Sequence, residues 1–468
     1  MVIDALKNLE GPSRRRFLKW AGTVGAVLAV ERSRFLEVIG ASAGTAMADA
    51  STCAATNKSF HVVAGNGGFA WFQLLWPHVE IAKSNNTGFA YHAFGQGTDS
   101  ASLSGADQPD KPFYWGPEAP WMSYGRTKYV TGFMAGNNQT HTATPGSAAT
   151  LGNNQSLLAT CAAIQRTTPS LLPVIGINPL NFGNAPGAPG VITVDSADGL
   201  VQLFNSAASR AILSVPNDAA LYDAYYKALL GLNKAAARPT QLRGLRVGKQ
   251  AAGFLGQNLA AKLAPTQADL DRYGITGGTA NKITEIAKAC IVAAKAFGLN
   301  LTQSVITPAM RDDPHGAFGN MQNLNMTVQG LGKVFDEFMN DLAAIPDPSC
   351  NERPLSDSVV MTVHGDTPKD PRNNNGWPDG TPNDSNWLYV MGNGYVKSGW
   401  FGGVKANGNT DGFDSTNGNT VPNQASTNTS AQAGAAVAYA VAKGDMRRVQ
   451  DFYTGPAIDG IVNINPLQ

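Results

Sequence analysis

Short apolar runs bounded by turn residues stand at both ends of this chain, with a long helical block between them. That order limits the fold more than any single residue does. Phe60 to Val63 reads as a strand running into the turn Gly65-Asn66-Gly67-Gly68, and Gly88 to Ala93, Tyr129 to Phe133 and Leu171 to Ile175 are further short runs of the same kind. Val359 to Val363 reads as a buried strand of largely β-branched residues, and Leu388 to Met391 as another. Between these groups, Asp195 to Leu213, Asp218 to Leu232, Leu242 to Leu263, Asn281 to Phe297 and Asn320 to Ala344 place apolar residues three and four apart, the spacing of one helix face. A last helix is expected over Ala431 to Lys443. Strands at both ends around helices imply an α/β fold, a mixed sheet flanked by helices with a helical insertion at about 195–345. Residues 51–468 are expected to form one domain. In such sheets ligands sit beyond the carboxyl ends of the strands, so the loops after Val63, Phe133 and Val363 are the ones to watch.

The first fifty residues read as an address. Ser13-Arg14-Arg15-Arg16-Phe17-Leu18-Lys19 matches the twin-arginine export pattern, and the apolar run Trp20 to Val30 that follows is too short to span a bilayer. Small residues at Ala46-Met47-Ala48-Asp49-Ala50 form a signal-peptidase site. The protein is therefore expected in the periplasm or outside the cell, with the twin-arginine translocase as its partner during export. That route carries proteins already folded. No later segment reaches transmembrane length.

The 468 residues carry a net charge of +1, and removing the first fifty, with seven basic and five acidic positions, leaves −1. A near-neutral body without a Lys/Arg stripe has no electrostatic footprint for nucleic acid. Beyond residue 50 the chain also lacks a GxSxG elbow, an HExxH pair and a Walker loop, which excludes hydrolases of those kinds. Four cysteines, Cys53, Cys161, Cys290 and Cys350, allow three pairings in an oxidising compartment. Cys290 aligns with the apolar face of its helix and reads as a core thiol; Cys350, in a loop, is the better disulfide candidate.

Candidate chemistry gathers where strands end. His141 follows a strand in the segment Asn137 to Thr142, with Thr140 beside it, and suits a metal ligand or proton shuttle. His364 and Asp366 follow the strand at 359–363, and can converge on one metal if the chain is extended there. Asp384 is a further acid. His92 reads as a buried structural histidine, and His61, His78 and His315 have no distinguishing context. Asn407 to Gly412 follows the first half of a calcium loop, but its twelfth position is Gly418 rather than Glu, so it reads as a polar surface loop with Asp414 as its remaining acid.

Taken together, the export signal, the Gly67-Gly68 turn, the Thr140-His141 loop, Val359 to Pro368, and Met391-Gly392-Asn393-Gly394 through Gly402-Gly403 resemble a twin-arginine-exported branch of the alkaline-phosphatase and sulfatase-like superfamily. The resemblance implies an alkaline-phosphatase-like sheet and a divalent metal held by His141, His364, Asp366 and Asp384, with Thr140 or Thr362 as nucleophile. Relatives show Thr-Glu-Phe-Gly-Arg-Thr followed by Asp-His. Here Val363 and Asp366 replace the acid and the basic residue, Asp384-Ser385 replaces Asp-His, and no acid follows Gly68. Those losses favour a catalytically degenerate protein that binds an envelope protein or glycan, with Trp115 to Trp121 and Trp377 to Trp400 suited equally to stacking on sugars or to serving as ordinary core or loop anchors. The alternative is a metal-dependent hydrolase of phosphate or sulfate esters. Replacing Arg14, Arg15 and Arg16 by Lys is expected to strand the precursor in the cytoplasm; continued export in cell fractionation would refute the address.

Overall fold

The computed structural model describes residues 53–63, 130–135, 151–152, 155–178, 182–205, 230–231, 239–254, 257–309, 320–350, 353–365, 387–404, 410–422 and 429–464. The chain divides into two compact units. The smaller holds Pro169–Leu171 and Asp198–Ala264 among the described residues, and the larger holds the rest.

The larger unit is built on an eight-stranded mixed sheet in the order β4-β3-β5-β1-β6-β7-β2-β8. The strands are β1 (Lys58–Val63), β2 (Val130–Met134), β3 (Leu172–Ile177), β4 (Val191–Val194), β5 (Thr302–Pro308), β6 (Val359–His364), β7 (Trp387–Met391) and β8 (Gly399–Phe401). All neighbours pair in parallel except β7, which runs against both β6 and β2. The carboxyl ends of β1, β2, β5 and β6 therefore share one edge. A three-stranded antiparallel sheet follows, with β9 (Gly403–Val404), β10 (Thr410–Phe413) and β11 (Thr420–Val421).

Both faces of the central strands are covered, as parallel strands require. On one face α1 (Leu157–Gln165) lies over β1, β3 and β5, and a late Ala-rich helix, Ser430–Val441, packs on α1 and β6. Ser156 caps α1 by accepting the Ala159 N–H at 3.0 Å. At the other end Gln165 Nε2 donates to Asn57 O, Gln303 O and Ser59 Oγ at 2.9–3.1 Å, tying the helix to β1 and β5 through buried polar groups.

The opposite face is covered from the middle of the chain. The smaller unit by itself holds α2 (Ala197–Asn205, from its second residue), α3 (Pro239–Gly253) and α4 (Leu259–Leu263), which bury Leu200, Phe204, Val247, Leu259 and Leu263. α5 (Gln267–Arg272) opens on a Thr266/Asp269 capping box. Then α6 (Asn281–Gly298) and α7 (Met321–Ala344) pack on each other, and Phe338 of α7 meets Phe60 of β1 at 4.6 Å between ring centroids. The Ala-rich helix is α8, and α9 (Met446–Gln450) follows it.

The strands read at 60–63, 129–133, 171–175, 359–363 and 388–391 and the helices at 281–297, 320–344 and 431–443 stand within a few residues of their expected places. The elements that went unread include α1, β4, β5, β8, the small sheet β9–β11 and α9. β5 crosses the stretch expected to be purely helical and pairs with β1 near the middle of the sheet. Its Thr302, Gln303, Ser304 and Thr307 are all buried, so a polar sequence hides a core strand. The helix expected over 242–263 is two, α3 and α4. No helix among the described residues is long and apolar enough to cross a membrane.

At the amino edge of β1, Lys58 Nζ meets Asp347 Oδ1 at 3.1 Å, both side chains 1% exposed. Burial lowers the Lys58 pKa against the pull of Asp347, while Asp347, despite its own burial, is held below the usual carboxylate range by Lys58. Asp347→Ala leaves an uncompensated buried ammonium and is expected to cost about 3–5 kcal/mol in denaturant unfolding. Lys58→Met with Asp347→Leu is expected to restore most of that loss; a double variant no better than the single one would show that the pair is not what holds this corner.

Candidate functional site

The register of β1 on β6 sets the site. His61 stands opposite Thr362, and Val63 opposite His364. Side chains alternate along a strand, so His61, Thr362 and His364 all fall on the face beneath α1 and α8. His61 Nδ1 lies 2.7 Å from Thr362 Oγ1, and the same oxygen lies 2.9 Å from His364 Nε2. The rings stand 6.1 Å apart at 66°. His61 and Thr362 are fully buried and His364 is 2% exposed. The chain of contacts runs from mid-strand toward the carboxyl edge, flanked by apolar groups such as Val63, Ile306 and Leu158 on one side and Val360 and Leu388 on the other.

Burial drives both imidazoles to the neutral form. It holds the His61 pKa well below its ordinary value, with repulsion from His364 adding to the effect, and lowers His364 to about 3. A neutral imidazole has one N–H and one bare nitrogen, and a hydroxyl donates once. His61 Nε2 is buried without a partner. An orphan lone pair is tolerated better than an orphan N–H. His61 therefore donates from Nδ1 to Thr362, Thr362 donates to His364 Nε2, and His364 keeps its proton on Nδ1.

Of the residues expected to carry chemistry, the structure joins Thr362 and His364 and adds His61, which sequence context did not single out. Its signal was there: a histidine inside the apolar run Phe60-His61-Val62-Val63 must find a buried partner. Thr140, His141, Asp366 and Asp384 lie outside the described residues. Among the described residues no group of three or more His, Cys, Asp or Glu is placed to hold a metal. Of the ring nitrogens described, His364 Nε2 and His61 Nδ1 are both engaged by Thr362.

Two other expectations resolve locally. The Asp414 carboxylate accepts from Thr416 N, Thr416 Oγ1 and Asn417 Nδ2 at 2.7–2.9 Å, a turn closed on itself. Trp387, within the segment read either as sugar-stacking or as a core anchor, is core: it is 3% exposed and packs on Tyr389 at 4.4 Å. A Cβ at Gly365 would collide with its indole. Trp400 is partly exposed, and Trp115, Trp121 and Trp377 lie outside the described residues.

Comparison with protein-family models, with curated proteins and with solved structures finds no match.

The unfolded state takes up protons on histidine below about pH 6.5, whereas the folded rings stay neutral to far lower pH. The stability they contribute is complete above pH 6.5 and is lost as pH falls toward 3, at up to about 1.4 kcal/mol per pH unit for each ring. Ring 15N spectra at pH 7 and 5 are expected to show two neutral, Nδ1-protonated imidazoles. Denaturant midpoints are expected to fall over the same range, and to fall less in the His61→Gln/His364→Gln variant. Equal pH dependence in both proteins would refute this account.

Proposed function

We propose that this chain is an exported α/β protein of alkaline-phosphatase-like architecture that no longer performs metal-dependent ester hydrolysis. It works by binding an envelope protein or glycan at the carboxyl edge of its parallel strands. One observation carries the reading. The residues a hydrolase would need free at the end of β6, a threonine hydroxyl and a histidine nitrogen, are hydrogen-bonded to each other and to His61 in a neutral buried chain. Thr362 has no exposed surface for a substrate to reach. A cation taking His364 Nε2 would strip the hydroxyl of a partner inside the protein, a cost of about 1–3 kcal/mol. The Cys53–Cys350 disulfide supports the export part of the reading, since such bonds persist in oxidising compartments.

The hydrolase reading has one observation in its favour. A hydroxyl 2.7 and 2.9 Å from two neutral imidazoles has the distances of a nucleophile beside its base. Elemental analysis of the protein, purified from the exported fraction without chelators or affinity metals, separates the two. Metal well below one equivalent is expected, with no turnover of aryl phosphate or sulfate esters. A full equivalent of zinc, calcium, manganese or iron that disappears in folded His364→Ala would overturn the binding reading.

A further inference from the structure

Cys53 and Cys350 meet at the amino edge of β1 as a disulfide with 4.2 Å between their Cα atoms. The corner around them is also held by contacts that involve no sulfur. Ala54 N donates to Ser349 O at 3.0 Å, and Lys58 Nζ reaches Asp347 Oδ1 at 3.1 Å and Ser349 Oγ at 3.0 Å. Asp347 Oδ1 in turn accepts from Ser349 N at 2.9 Å, which fixes the loop just ahead of Cys350. From the end of α8 and beyond, Lys443 Nζ donates to Ala54 O at 2.8 Å and Arg448 Nη1 to Ala55 O at 3.3 Å. Asn57 bonds the same helix twice, N to Val441 O at 2.8 Å and Nδ2 to Ala440 O at 2.7 Å. Immediately afterwards β1 is paired on both sides, with β5 and β6. The sheet has no need of the disulfide to hold β1 in place, and residues 54–58 have enough polar partners to bring Cys53 to Cys350 with both thiols free.

The other two cysteines cannot compete. Cys161 and Cys290 are fully buried, and burial raises both thiols far above the range in which a thiolate forms. Of the pair that does react, Cys53 keeps some exposure while Cys350 is buried.

We propose that Cys53–Cys350 is a clasp that closes last. The body folds with both thiols reduced and the contacts of residues 54–58 in place; oxidation then locks those contacts shut, and reduction leaves them formed but lets this corner alone open more often. The oxidant is a disulfide, either of an envelope dithiol oxidase or of a small molecule. The Cys53 thiolate attacks one of its sulfurs and releases the first thiol. The Cys350 thiolate then attacks the mixed disulfide at Cys53 and releases the second, so two electrons and two protons pass to the oxidant for one new S–S bond. A clasp of this kind suits a protein that arrives folded in an oxidising compartment. That arrival belongs to the function proposed above; the clasp is tested on purified protein, so either can fail without the other.

The full chain is compared oxidised, reduced with dithiothreitol, and as the Cys53→Ser/Cys350→Ser variant. Both thiol-free and reduced forms are expected to keep the near- and far-ultraviolet circular dichroism of the oxidised protein, with a Tm lower by on the order of 5–10 °C. Amide hydrogen exchange is expected to accelerate about tenfold or more at 53–57 and to stay unchanged in β1, β5 and β6. Reoxidation with glutathione disulfide should give Cys53–Cys350 alone by peptide mapping. Loss of near-ultraviolet signal on reduction, faster exchange spreading through the sheet, no change at 53–57, or bridges to Cys161 or Cys290 would each overturn the proposal.

Discussion

Pairing His61 with Thr362 across β1 and β6 decides which side chains share each face of the central sheet. With that register, Ser59, His61 and Val63 lie under α1 and α8, while Phe60 turns to α7 and stacks near Phe338. A shift of β1 by one residue would set the His61 imidazole among the phenylalanines and push Phe60 against the Gln165 amide. The polar contacts on one face and the aromatic contact on the other thus select the same alignment. Ser59 with Gln165 and Ser304, and His61 with Thr362, act as two fixed points along one strand. Buried polar groups specify geometry in this way because each carries a penalty when it misses its partner.

Much of the sheet was legible because its strands are apolar and short. Val359 to Val363 and Leu388 to Met391 announce themselves by composition, and α6 and α7 by regular spacing of Ile283, Ile286, Cys290 and Phe297 or of Leu331, Phe335, Phe338 and Leu342. β5 was not legible, for a physical reason. Its buried threonines and Ser304 are bonded to backbone and to neighbouring hydroxyls, as where Thr302 Oγ1 donates to Ser304 O at 2.9 Å, and such satisfaction leaves no trace in hydropathy. α1 was missed for the opposite reason: it is buried all round, so it lacks the one-sided pattern that marks a surface helix.

The site was legible only in part. Thr362 and His364 were picked out because they close an apolar strand, where α/β proteins expose their chemistry. What they do there depends on His61, some three hundred positions earlier in sequence, and no local pattern links the two. The expectation that His364 would serve a cation came from its neighbours in sequence, Asp366 above all. In space its Nε2 faces back along the strand to Thr362 instead.

One feature of β6 and β7 reaches beyond the site. Gly365 N donates to Trp387 O at 2.9 Å, and the indole fills the place where a side chain at 365 would sit. The antiparallel pair β6–β7 is thus closed at this end by one backbone bond and one buried ring. A side chain at 365 would have to displace the indole before β6 and β7 could keep their alignment, so glycine here fixes how the two strands end together.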